Sequence, residues 1–589
     1  MSTSPDSLLA RLSRAAPPRR WRKLFFDLHG WLGLNLGLLL FVICLSGTFA
    51  TLSDEIDALV DPAHRVEAAR SDGTAYDWTA MMETLRRTFP DGTVRALYAP
   101  GASGRPTVEG TASLALVVVP AGETRKAYLD PFTGELRGHT GFFNVERFFR
   151  TFHRRLFDGP RGILVVTLSG FVLLASAVTG FGFYRGWLRQ LLRLELRGTR
   201  RRRWSDLHKV AGIWGLPFTL LIAVTGIYYF VEVAYQRAGS YETLLPPPTL
   251  QVDQEGLAAF GPQPELLPAG RYVELARQAY PELQVRTVRP AQTPGQAVYV
   301  DGQAGNPLTR DRADQVQLHP FTGEVVDIQR TGELGVLPFL TDAVDPLHFG
   351  YVGGFGTQLA WFVLGLLLSF SILSGTYVWV VRSVGSRKRP STLLRGAPVA
   401  VAVTLLYLGV VGSATVEGIR GYASPEAGTV ALGEVDVGPW EVRVDCEVPC
   451  RLSEGTAVAA RFLGSGLPNY ARAEVAVPGG SAAELRGPSR RPGAFVALPP
   501  GEALLLRVTT RDGLVHEGRL TPSLPPGRGE AEAGREPTQP EAPGRAAWPE
   551  APAGVWWVVV GFVVLTLGSI LAWLGMVWRV ARAPKDARP

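Results

Sequence analysis

His29, His153, His208 and His348 each stand at one end of a long apolar run, and they recur in register along the chain. Ionisable residues at membrane depth are costly and mark functional sites, and imidazole is the side chain most often used to hold a metal. An electron-transfer haem iron takes two strong axial ligands, His/His or His/Met. The four methionines are Met1, Met81, Met82 and Met576, none within the first four apolar runs. A haem held there is therefore bis-histidine, and four histidines suffice for two. A single histidine at a helix end reads as an interfacial residue with polar neighbours. Four in register, with no competing methionine, read as ligands.

The register comes from a duplication. LHGWLGLNLGLLLFVICLSGTF, from Leu28, aligns with LHKVAGIWGLPFTLLIAVTGIY, from Leu207, and in each a hydroxyl-glycine pair places its glycine 18 positions after the histidine, at Gly47 and Gly226. YLDPFTGEL at Tyr128 matches QLHPFTGEV at Gln317; beyond them come His153 and His348, with the next such glycines 27 positions on, at Gly180 and Gly375. Eighteen helical residues rise roughly 27 Å, nearly a bilayer core, so Gly47 and Gly226 belong beside the histidines of the opposite end. The longer spacing would rise roughly 40 Å. The chain must then break after His153 and His348, and DGPRG and GGFG are suitable breakers. Pairing by side gives an inner haem on His29 and His208 and an outer haem on His153 and His348. The glycines would let a flat macrocycle or a neighbouring helix approach closely.

Six runs are long and apolar enough to cross a bilayer as helices, at about 24–50, 163–184, 210–231, 358–381, 397–416 and 555–578. Basic segments precede the first, follow the sixth, and fill the connections after the second and fourth, the richest being RGWLRQLLRLELRGTRRRRW. All lie on one side if both termini are cytoplasmic, which the positive-inside rule requires. Segments 51–160, 232–350 and 417–553 then lie outside. Arg147, Arg150, Arg154, Arg155 and Arg161 run against this bias, but long translocated loops are largely exempt. Those arginines suit haem propionates or an anionic ferric chelate, or equally lipid phosphates.

The outside loops repeat as well. WTAMMETLRRTFPDG and VELARQAYPEL read as short amphipathic helices, each followed by two or three β-rich runs closing on the PFTGE turn. That predicts one helix against a small antiparallel sheet, once per repeat. His319 fills the slot of Asp130 and reads as a turn residue. With Leu28-His29, Leu207-His208, the DPFTGE and HPFTGE turns, FHRRLFDGPRG and LHFGYVGGFG, the chain from about 20 to 385 resembles the PepSY-associated transmembrane family of bacterial inner-membrane proteins. The resemblance implies two b-type haems on membrane histidines and ferric-siderophore reduction in iron uptake.

The remainder departs from the family's four-helix plan. Residues 417–523 alternate apolar and polar runs between Gly/Pro turns and read as an extracytoplasmic β-domain, a sandwich. Cys446 and Cys450 read as a local disulfide in an oxidising compartment, whereas Cys44 lies in an apolar run. Residues 524–553 form a Pro/Gly/Glu linker. No phosphate-cradling, flavin, nicotinamide or nucleic-acid motif is present, so electrons must come from an external donor, a quinol or a separate reductase. The expected architecture is an α-helical integral membrane protein, a duplicated four-helix bundle plus two further helices. Its parts are a cytoplasmic N-terminus (1–23), repeat 1 with a PepSY-like α+β module (24–184), a basic loop (185–206), repeat 2 with a second module (207–382), a loop and fifth span (383–416), the β-domain, the linker, a sixth span (554–579) and a cytoplasmic tail (580–589). The expected function is a diheme conduit reducing a periplasmic ferric complex. The alternative is a non-catalytic membrane protein whose modules bind or inhibit an envelope partner such as a protease. A transporter fits less well, because the repeats run parallel and no acidic residue sits mid-membrane.

Overall fold

The computed structural model describes residues 19–582 apart from 67–74, 91, 103–109, 120–122, 185–198, 246–251, 253–255, 386–396, 423–428, 448–449, 451–455, 464–465, 478–481, 487–492, 499–501 and 523–547. Most of the N-terminal segment, the basic loop and the Pro/Gly/Glu linker therefore lie outside the described residues, as do 583–589 of the tail. Among the described residues, six helices are long and apolar enough to span a membrane. They are α1 (Arg19–Ala50), α5 (Gly159–Phe183), α7 (Leu216–Arg237), α10 (Phe355–Gly385), α11 (Ala397–Arg420) and α12 (Ala553–Arg582).

In α1, 61% of the spanning stretch is buried, against 22–33% in the other five, so α1 is the central helix. It packs on α5 and α10; α5 packs on α7; and α6 (Arg200–Trp214), which runs into α7, packs on α10. The four-helix ring thus has two seams within a repeat, α1–α5 and α6–α10, and two between repeats, α5–α7 and α10–α1. Where α6 meets α7, Pro217 has no N–H to donate, and the helix is interrupted at Gly215. The third span is accordingly two helices, with His208 on the first.

Each loop after a first-of-pair helix folds as a helix and four antiparallel strands. These are α3 (Trp78–Thr88) with β1 (Thr93–Tyr98), β2 (Ser113–Val118), β3 (Thr124–Leu129) and β4 (Leu136–Thr140), and α8 (Ala269–Ala279) with β5 (Gln284–Arg289), β6 (Val298–Gln303), β7 (Asp314–Leu318) and β8 (Val325–Gln329). Asp77 caps α3 by accepting from Ala80 N, and the apolar stripes of α3 and α8 share one core with the sheet. The PFTGE turns do not close the modules: each leads into one more strand. Within the turns, Asp130 Oδ1 accepts from Phe132 N and Thr133 N at 2.8 and 3.1 Å, and His319 Nδ1 accepts from Phe321 N and Thr322 N, both at 3.2 Å.

The two modules are not separate sheets. β1 pairs antiparallel with β5, Leu97 opposite Val288 and Tyr98 opposite Thr287, which makes one eight-stranded sheet in the order β4-β3-β2-β1-β5-β6-β7-β8. These two strands occupy equivalent places in the repeats. An exposed strand edge seeks a partner, and here each module's free edge finds the other's.

The C-terminal third wraps this core. α11 packs on α1, and α12 on α10 and on the short helices α2 (Ser53–Val60) and α4 (Val145–Arg155). Between them, two four-stranded sheets, β14-β11-β10-β9 and β13-β12-β15-β16, close on one core around Trp440. Here β9 is Thr429–Val437, β10 Trp440–Glu447, β11 Thr456–Phe462, β12 Arg472–Ala476, β13 Ala483–Glu484, β14 Gly493–Val496, β15 Leu504–Thr509 and β16 Val515–Leu520. Cys446 and Cys450 are joined by a disulfide. The sandwich docks on the chain just before α8: Asn469 Nδ2 donates to Leu257 O (2.6 Å) and Gly261 O (2.9 Å), its own N–H to Pro262 O (2.8 Å), and Trp440 Nε1 to Pro262 O (2.9 Å). Asn469→Ala strands the buried Leu257 carbonyl and the half-buried Gly261 carbonyl and should lower stability by about 1–3 kcal/mol. Thermal unfolding in detergent measures this, and an unchanged melting temperature would refute the docking role.

Candidate functional site

Two cavities lie between the four ring helices, one toward the sheet and one at the far end. The far-side cavity, about 440 Å³, is lined by His29 of α1 and His208 of α6, with Gly180 and Gly375 opposite them. His29 Nδ1 is 2.9 Å from Ser176 O, and His208 Nδ1 is 2.9 Å from Ser371 O. A Cβ placed on Gly180 would stand 2.9 Å from His29 Cε1, and one on Gly375 2.6 Å from His208 Cε1. Only glycine lets either ring reach a neighbouring helix's backbone. The two imidazole centroids are 6.3 Å apart.

The sheet-side cavity, about 230 Å³, repeats the plan with His153 and His348, whose centroids are 6.1 Å apart. Their helices are short and separated from the spans that follow. His153 ends α4, which stops where Leu156 and Phe157 adopt left-handed φ of 50° and 53°. His348 ends α9 (Val336–Phe349), which stops at Gly350 with φ 80°. His153 Nδ1 lies 2.9 Å from Ile43 O, and a Cβ on Gly47 would stand 2.6 Å from its Cε1. The fourth histidine differs: His348 Nδ1 meets Thr225 Oγ1 at 2.7 Å, and Gly226 instead faces Gly170 of α5, whose Cα lies 3.7 Å from a built Cβ. Every histidine thus has Nδ1 engaged, and among the described residues none bonds Nε2.

The helices carrying the sheet-side histidines are fixed from the sheet. Asp57 of α2 accepts from Val145 N and Glu146 N of α4, both at 2.8 Å, and Asn144 caps the same helix through Arg147 N. Glu146 pairs with Lys126 of β3 at 3.3 Å. In the second repeat, Arg310 and Arg312 descend from the β6–β7 loop. Arg310 pairs with Asp345 (3.0 Å) and Arg312 with Asp342 (2.9 Å), two acidic residues a turn apart on α9. Tyr229 OH donates to the other Asp345 oxygen at 2.6 Å. Burial pushes the Asp57 carboxyl up to about 7, against the pull of Lys126 and the two N–H groups.

Of the arginines singled out in sequence, Arg150 and Arg154 border the sheet-side cavity. Arg147 lies over the Phe142 ring at 3.9 Å, and Arg155 is not a lining residue. Arg310, Asp345, Glu232 and Tyr229 also line that cavity and were not foreseen. Their pairing joins a sheet loop to a helix more than thirty residues away, which no local spacing encodes; the signal available was two aspartates three apart on the helix bearing His348. The remaining histidines sit against aromatic rings: His64 on Tyr128, His139 on Phe89 and His516 on Trp440.

A model of the PepSY-associated TM region matches residues 26–382, the span that holds all four histidines and both modules. The chain is also similar to an uncharacterized protein of Pseudomonas aeruginosa, 25% identical over 319 residues that cover 50% of this chain and 74% of that one.

Gly47→Ala and Gly375→Ala should each displace a histidine ring and lower the melting temperature, while Gly226→Ala, with only ordinary contact, should be tolerated. Equal loss in all three would contradict the ring-over-glycine packing. For Asp57 the folded value lies above its unfolded value near 4, so its contribution is fully present below pH 4 and is lost as pH rises through about 7. Stability measured from pH 5 to 8 should therefore fall more steeply for the native chain than for Asp57→Asn; parallel curves would count against this.

Proposed function

Because the chain belongs to the PepSY-associated transmembrane family, we propose that it is a diheme electron conduit of a bacterial inner membrane that reduces a ferric complex, a ferric siderophore, on the sheet side. The observation carrying this reading is the two close imidazole pairs, His29 with His208 and His153 with His348, with every Nδ1 already engaged. Two imidazoles that held one metal between them would stand roughly 6 Å apart, since each metal–nitrogen bond would take about 2.0 Å and each ring its own half-width. The separations here are 6.1 and 6.3 Å. Ligating histidines characteristically donate their other N–H to a carbonyl or hydroxyl, which fixes tautomer and ring plane. His29, His153 and His208 have a carbonyl in that place and His348 a threonine hydroxyl.

Haem, when bound, supplies one-electron redox chemistry. The chain's part is to hold two such groups at different depths between the same four helices. Arg150 and Arg154 give the sheet-side mouth two guanidinium groups, which suit carboxylates of the macrocycle or of an anionic chelate. The basic segments at the opposite ends of the spans support an outside position for that mouth, with both termini cytoplasmic. The electron donor is external, a quinol or a reductase.

The purified protein should show a Soret band and yield two haems per chain by pyridine haemochrome. His29→Ala or His208→Ala should remove one, and His153→Ala or His348→Ala the other. Absence of the band, or retention of both haems in these variants, would sink the reading.

A further inference from the structure

Leu40 of α1, Leu173 of α5 and Leu368 of α10 line both cavities. Each side chain therefore borders both the cavity that holds His153 and His348 and the cavity that holds His29 and His208. All three are buried. On the fourth helix, α7, Phe218 and Ala223 belong to the same apolar cluster as Leu173 and Leu368. The hydroxyls of Thr167 and Thr219, which line one cavity each, donate to Ile163 O and Gly215 O of their own helices, both at 2.8 Å. Each hydroxyl's proton is thus committed to its own helix.

We propose that these three leucines form a dry partition one side chain thick, which lets electrons pass between the two histidine pairs while keeping water and protons out. This rests on the conduit reading above. An electron crosses such a layer with no bond made or broken and no proton moved. A proton needs a chain of hydrogen-bonding groups, and the three leucine side chains offer none. The need is specific to this architecture: two cavities stacked through one bundle would, if joined, become a wet path from one membrane face to the other. The partition also sets the distance an electron must cross, because nothing wider than one leucine stands between the cavities at this level.

Polarity, rather than bulk, is what the partition requires. An apolar hole of modest size stays empty of water, whereas water enters where polar partners await it. Leu368→Ala enlarges the space and leaves it apolar; Leu368→Asn keeps much of the volume and introduces a donor and an acceptor. Each variant, reconstituted into vesicles holding a pH-sensitive dye, is given a proton gradient under a clamped potential. The Asn variant should leak protons roughly tenfold faster than the native chain and the Ala variant at close to the native rate, in keeping with dry apolar cavities. Leu368→Met should match the native protein. If the Asn variant does not fold, Leu40→Asn or Leu173→Asn makes the same test from another helix. Native-like leakage in the Asn variants that fold, or equal leakage in Ala and Asn, would overturn the partition. The Soret band of the same vesicles is read alongside. Its absence fails the diheme reading, and the leak comparison still decides the partition.

Discussion

A histidine ring that reaches the backbone of a neighbouring helix is the contact on which the bundle turns. In three of four cases the acceptor is the carbonyl four residues before the hydroxyl-glycine motif's glycine: Ile43 before Gly47, Ser176 before Gly180, Ser371 before Gly375. In a helix that carbonyl already receives the glycine's own N–H, but it has a second lone pair. An imidazole can use that lone pair only where no Cβ stands in the way, and glycine supplies the gap. Serines before the glycine add a longer contact, Ser46 at 3.5 Å from His153 Nδ1 and Ser374 at 3.4 Å from His208 Nδ1. In the fourth case the hydroxyl itself takes over, and the glycine is released for helix packing. One local device therefore fixes helix spacing, ring plane and the free nitrogen together.

Everything on the sheet side holds the same rings from above. α4 is amphipathic, with Phe148, Phe149 and Phe152 packed against Phe562 of α12, so the sixth span completes the apolar seat of the His153 helix. Its polar end is tied to Asp57 and Lys126, and α9 is tied to Arg310 and Arg312. Buried ion pairs are weak evidence of stability, yet breaking one leaves an uncompensated charge. These pairs therefore act on placement: they oppose any shift of a histidine helix relative to the sheet.

Much of this was legible in the chain because it is written twice. The histidine-to-glycine spacings, the breaks after His153 and His348 and the kinship of Asp130 with His319 all follow from helical rise and turn chemistry applied to two copies. What escaped reading depends on contacts between copies or between distant segments. Asp57 is an ordinary acidic residue on a short helix until α4 is placed over it. Arg310 lies in a loop whose destination is set by tertiary packing. The pairing of β1 with β5 leaves no mark on either strand, since each reads as a plain edge. Gly226 shared its spacing with Gly47 but not its contact, because Thr225 offers a nearer oxygen.

The seam between β1 and β5 has a geometrical consequence for the membrane half. Strand residues rise about 3.3 Å each, and register can change only in steps that preserve which side chains face the core. The smallest allowed slip of Leu97 against Val288 would thus move one module past the other by roughly 7 Å. That exceeds the 6.1 Å between the His153 and His348 rings, and each ring's helix is tied to a different module. The sheet therefore works as a caliper locked at one setting. The two repeats of this chain cannot drift by a fraction of the gap; they either hold the pair at its spacing or lose it.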